Sequence, residues 1–176
     1  VMAMNVGDYE TAITVFDQAL EGSGKRIGNF EEDVLFNRAE AEYKQGDFAA
    51  ALTTYQIILN ADSENEMARQ GAALCLAEAG EWGQALALGV LQSQIYSRMA
   101  AAQIEAGQYE EAMQTIAQGR SLPDQSAARN LDFNEAVIRE KQGDFAAALE
   151  LFEAYREKYG ADEAAEREII FLKSRQ

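Results

Sequence analysis

A seven-residue phrase returns along the whole chain. It first reads Gly7-Asp8-Tyr9-Glu10-Thr11-Ala12-Ile13 and comes back at Gly46–Leu52, Gly80–Leu86, Gly107–Met113 and Gly143–Leu149. Four positions keep their character in every copy: glycine first, an aromatic third, alanine sixth, an apolar aliphatic or methionine seventh. The glycines lie 39, 34, 27 and 36 residues apart, a mean of 34. Self-similarity at such a period is the mark of stacked supersecondary units. The physical content of the phrase is local. Glycine adopts the left-handed conformation that ends a helix. Asp8, Asp47 and Asp144 then stand where an N-cap accepts from the free N–H groups of the next helix. The apolar residues that follow fall on one helical face. Each unit is therefore a helix, a turn and a second helix. One such pair cannot bury its apolar face alone, whereas stacked neighbours can.

More of the unit follows the same register. Ala39, Ala73, Ala100 and Ala136 stand seven residues before a glycine, and Phe16, Tyr55, Ile116 and Phe152 nine residues after one, where Gly89 departs. This pattern resembles the tetratricopeptide repeat family, over essentially the whole chain. The resemblance implies an all-α fold, a right-handed superhelical solenoid of antiparallel helix pairs. It divides the chain into an incomplete first repeat (1–22), a second repeat (32–65), a shortened third (66–92), a fourth (93–126), a fifth (129–162) and a capping helix (163–176) started by Asp162.

The repeat is irregular in places. Val1–Val6 reads as the tail of a helix whose beginning is missing. Glu21–Phe30 contains three glycines and reads as a surface insertion. The third unit is seven residues short of the mean period. Either its second helix is unusually short, or a segment is missing near Gly89–Ser93; the interrupted look of Gly89-Val90 favours the latter. Pro123-Asp124 suits a helix start.

Composition removes several classes of function. With no His and one Cys, the chain holds no histidine triad, histidine metal site, disulfide framework or cysteine zinc cluster. No phosphate loop or calcium loop is present, and no cofactor is called for. The net charge of −15 opposes nucleic-acid binding and docking on anionic lipid. No apolar run reaches the ~20 residues of a membrane span. Cys75 and Trp82 read as packing residues, and the acidic clusters 31–33 and 163–168 as helix-start charges.

In the family that the sequence resembles, ligands usually touch the inner face of the first helix of each pair. Carried over position by position, that face offers Phe36, Glu40 and Tyr43 in repeat two, and Met67, Gln70 and Leu74 in repeat three. It offers Ile104 in repeat four, and Phe133 and Val137 in repeat five. Gln94, Ser97, Ala101, Glu105, Asn130, Glu140 and Lys141 share it. The carboxylate clamp of chaperone-tail adaptors is missing: Phe36, Glu40, Gly71 and Gln94 occupy its Lys and Asn positions, and only Arg98 matches. The expected function is non-catalytic: binding a peptide or helix of another protein, basic or apolar, in a concave groove. The alternative is a spacer or self-assembly segment of a larger repeat protein.

Overall fold

The computed structural model describes residues 8–21 and 27–175. The expected helix tail at Val1–Val6 and the centre of the Glu21–Phe30 insertion lie outside the described residues. Among the described residues there are ten helices and no strand. They fall into two compact units, one ending at Leu91 and one beginning at Gln92.

The first unit contains α1 (Tyr9–Glu21), α2 (Asn29–Gln45), α3 (Phe48–Ala61), α4 (Glu66–Glu78) and α5 (Trp82–Ala87). Consecutive helices pack on one another, and the first helices of successive repeats, α2 and α4, also touch. The second unit contains α6 (Gln92–Glu105), α7 (Tyr109–Ser121), α8 (Ala128–Lys141), α9 (Phe145–Tyr159) and α10 (Glu163–Lys173). Its helices follow the same rule, with α6 against α8.

The phrase identified in the sequence builds the turns. Gly46, Gly80, Gly107 and Gly143 all sit at φ between 75° and 87°, where a Cβ would be strained. Asp8, Asp47 and Asp144 accept from the N–H groups of Thr11, Ala50 and Ala147 at 3.2, 3.0 and 3.2 Å. The recurrent alanines lie at the crossings of paired helices. Ala39, Ala73, Ala100 and Ala136, with Ala51, Ala85, Ala112 and Ala148, are all 0% exposed. A methyl group is the largest side chain that lets two backbones come this close. Phe16, Tyr55, Ile116 and Phe152 are buried beside them. Each large apolar side chain so buried contributes roughly 1.5–3 kcal/mol.

Two irregular regions stand out. In the third repeat the second helix is short. α5 has six residues, and its end is shaped by Arg69, whose Nη2 donates to the Leu88 carbonyl at 2.6 Å. Gly89 follows at φ 70° and Leu91 at φ 49°. Gly89→Ala is expected to cost about 1 kcal/mol, because the added Cβ is strained in the left-handed region. A lowered urea midpoint in Trp82 fluorescence checks this. The second region is Pro123, which does not open a helix. α8 starts only at Ala128. Asp124 instead accepts from the backbone N–H and the hydroxyl of Ser126, both at 2.9 Å, which holds the segment as a turn.

At the end of the chain Asp162 caps α10, accepting from Ala164 and Ala165 at 3.0 and 3.2 Å. Two of the clustered carboxylates at 31–33 accept hydrogen bonds. Glu31 Oε2 accepts from the Gly28 N–H at 3.0 Å, and Glu32 from Asn65 Nδ2 at 2.7 Å.

Candidate functional site

The first helix of each repeat carries the residues singled out in the sequence. In the first unit, Phe36 is half-buried, edge-on to Tyr55 with ring centroids 5.8 Å apart. Tyr43 packs edge-on to Phe48 and donates its hydroxyl to Glu78 Oε1 at 3.1 Å. Glu40 and Leu74 are half-buried. Gln70 is bonded to Glu66 on the next turn at 3.2 Å. Met67 is 58% exposed, a large apolar side chain open to solvent. Cys75 lies below this face, fully buried, and burial pushes its thiol up to about 12. A thiol so held is a packing group, not a nucleophile.

In the second unit the same helix face forms a continuous groove along α6 and α8. Its first part encloses about 570 Å³ and is lined by Ser97, Arg98, Ala101, Arg129, Asn130, Phe133, Asn134, Tyr155, Asp162 and Ala164. The second part, about 520 Å³, shares Ala101 and Asn134 and adds Ile104, Glu105, Tyr109, Val137 and Lys141. Of the expected face of repeats four and five, Ser97, Ala101, Ile104, Glu105, Asn130, Phe133, Val137 and Lys141 line this groove, while Gln94 and Glu140 do not. Ile104 contributes little surface: it is 7% exposed and belongs to the core of α6 and α7. Phe133 forms the floor. It is wedged edge-on between Phe152 and Tyr155, at 5.2 and 5.6 Å. Such edge-to-face pairs fix a ring in one orientation.

The polar wall was not legible from repeat positions. Arg129 Nε donates to the Tyr155 hydroxyl at 2.6 Å, and its Nη2 pairs with Asp162 Oδ2 at 2.5 Å. Asp162 is thus held from two sides. The N–H groups of Ala165 and Ala164, together with Arg129, keep its carboxyl below the usual range against the opposing effect of desolvation. Asn134 Nδ2 donates to the Ser97 carbonyl at 3.0 Å and ties α8 to α6. These contacts join residues 26 to 37 positions apart in sequence, so no local pattern announces them. No described helix is long and apolar enough to cross a membrane.

An all-α chain of helix pairs closed by αL glycines and paired alanines, with its groove on the first helices, is a helical-repeat protein. A model of the tetratricopeptide repeat family matches residues 36–91. Solved structures extend that fold to nearly the whole chain. A tetratricopeptide repeat protein from Parabacteroides merdae is similar over 97% of this chain and 68% of its own, at 16% identity and TM-score 0.63. YrrB, a tetratricopeptide repeat protein with an unusual peptide-binding site, is similar over 91% and 82%, at 18% identity and TM-score 0.54. TTC0263 of Thermus thermophilus is similar over 98% and 94%, at 16% identity and TM-score 0.53. No curated protein matches the sequence. Residues 36–91 therefore match the tetratricopeptide repeat, and the chain has the fold of tetratricopeptide repeat proteins over nearly its whole length.

Proposed function

We propose that this protein is a non-catalytic binding module that takes a peptide segment of another protein in the groove of its second unit. The observation that carries this reading is the Phe133 floor. A large aromatic ring, rigidly wedged between two others, opens into a groove of about 570 Å³ with polar groups on its walls. Small numbers of oriented polar groups around an apolar floor are what peptide and ligand sites share. Rigid aromatics are favoured anchors because little entropy is lost when they are covered. The neighbour YrrB, which has a peptide-binding site, supports the same use of the fold. The first unit by itself carries a separate face with Phe36, Tyr43, Met67 and Leu74, and Glu40 and Glu78 lie on the same helices, α2 and α4.

Phe133→Glu is expected to abolish capture of peptide ligands, because it places a charge on the apolar floor. Isothermal titration with a peptide selected on the native protein measures this, with circular dichroism to verify the helices. Undiminished affinity in a folded variant overturns the groove. A native mass that stays oligomeric on dilution, with no captured peptide, favours self-assembly instead.

A further inference from the structure

We infer that two copies of this chain pair through the outer face of α3, antiparallel across a two-fold axis. None of the residues involved lines the groove of the second unit. The starting point is a contrast between repeats. Ala49, Thr53, Gln56 and Asn60 stand three, seven, ten and fourteen residues after the turn glycine Gly46, and all four are exposed. They lie on the side of α3 away from its buried residues Ala51, Thr54, Tyr55 and Ile58. The same offsets from Gly7 give Glu10, Thr14, Asp17 and Glu21. From Gly143 they give Ala146, Glu150, Glu153 and Glu157. The fold therefore accepts carboxylates at these positions, and α3 has none. Apart from the six-residue α5, α3 is the only described helix without a charged residue.

Charge selects the occupant. Each copy carries −15, so two copies repel, and they approach at least cost where neither presents a charge. A two-fold axis over α3 sets one uncharged face on the other. A basic partner would be better matched by the carboxylates of α1 or α9. The spacing of the four residues, four then three then four, is that of a helix–helix seam about 16 Å long. In the antiparallel register Thr53 faces the second copy's Gln56, and Ala49 faces the second copy's Asn60. Each layer sets a small side chain against an amide. Gln56 and Asn60 make no side-chain hydrogen bond among the described residues. The Thr53 hydroxyl donates to the Ala49 carbonyl at 2.9 Å and keeps its lone pairs for the facing amide. Ile57, 39% exposed, runs along one flank of the seam. The ends match as well. Lys44 is exposed and has no ion pair among the described residues, and the same register brings the second copy's Glu64 to its level. Asp47 and Asp62 are occupied with the local N–H groups of Ala50 and Glu64. A single helix pair is a small interface, below the ~1,200 Å² of stable complexes, so the dimer forms at high concentration and dissociates on dilution.

Sedimentation equilibrium of the full chain, over about a hundredfold range of concentration, tests the pairing. The mass is expected to climb from one chain toward two. The double variant Thr53→Glu, Gln56→Glu copies Glu150 and Glu153 of α9, so the helix accepts it, and circular dichroism verifies the fold. It is expected to weaken the dimer by about tenfold or more, because like charges then meet across the seam. Gln114→Glu adds a charge at the equivalent position of α7 and is expected to leave the mass curve unchanged. Mixing a Thr53→Glu chain with a Gln56→Lys chain sets unlike charges face to face and is expected to restore the dimer. Failure of that mixture to pair overturns the antiparallel register. A native chain that stays monomeric at every concentration overturns the self-pairing and leaves the outer face of α3 to a different protein. A dimer that survives in the folded double variant also overturns it, because the contact then lies elsewhere.

Discussion

Replacing Arg38 with methionine lowers the stability of the protein by about 3 kcal/mol at pH 7, the scale of stranding one member of a buried ion pair, and the loss shrinks on acidification. The reason is the network beneath α2 and α3. Glu42 is 3% exposed, in a helix interface. Arg38 Nη1 pairs with its Oε1 at 2.8 Å, Thr54 donates to its Oε2 at 2.7 Å, and Arg38 Nε reaches Asp17 on α1 at 2.7 Å. Without Arg38 the carboxylate keeps one neutral donor in a desolvated place. Even in the intact network Glu42 is raised above its ordinary value. Desolvation outweighs the lowering by Thr54 and Arg38. Folded Glu42 therefore binds a proton more tightly than the unfolded chain does. Its contribution to stability is greatest in acid and declines as pH climbs above the unfolded carboxylate value near 4.5. In Arg38→Met that dependence steepens. Urea titrations at pH 4.5 and 7, followed by Trp82, the only tryptophan of the chain, measure both arms. The double variant with Glu42→Gln recovers part of the loss. A loss that is equal at both pH values, or no recovery, refutes the account.

The second large effect comes from a single hydrogen atom. Gly71 lies inside α4, where alanine would ordinarily improve a helix by about 1 kcal/mol. Here Gly71→Ala is expected to destabilise by about 1–3 kcal/mol instead. A Cβ on Gly71 would stand 2.2 Å from Cζ of Tyr55 and 2.5 Å from both Cε carbons, at the hydroxyl end of the ring. Tyr55 is 4% exposed and cannot swing away, since Phe36 packs edge-on against it. Burial and the nearby Glu40 also hold the Tyr55 hydroxyl well above its normal range, so ionisation gives it no escape. Tyr55→Phe in the same background relieves little, because the clash is with ring carbon. A Gly71→Ala protein as stable as the original contradicts this packing.

Much of this was legible because it is local. A glycine, an aspartate and an alanine at fixed offsets specify a turn, a cap and a crossing within one repeat, and the structure has all three at 46–51 and 143–148. The face of α6 and α8 was what the family resemblance implied, carried over position by position, and most of the groove lining lies on it. What was not legible depends on distant partners. Arg129, Asn134 and Tyr155 take their roles from contacts across 26 to 37 residues. The placement of Ile104 in the core and of Met67 in solvent depends on which neighbours stack on them, and periodicity alone treats the two alike. Pro123 misled because its helix-start chemistry is available only if the following residues do not make a turn of their own, and Asp124 with Ser126 makes one.

The paired alanines carry a last implication for anyone reshaping this protein. Ala100 against Ala112 and Ala136 against Ala148 leave no exposed surface. They therefore act as the shims that gauge how far α6 and α8 stand from their partners. The aperture in which Phe133, Asn130 and Asn134 sit is calibrated from behind, by methyl groups that no ligand reaches. Selectivity can then be retuned without altering a single lining residue: a serine in place of one of these alanines shifts the spacing of the wall while its chemistry stays constant.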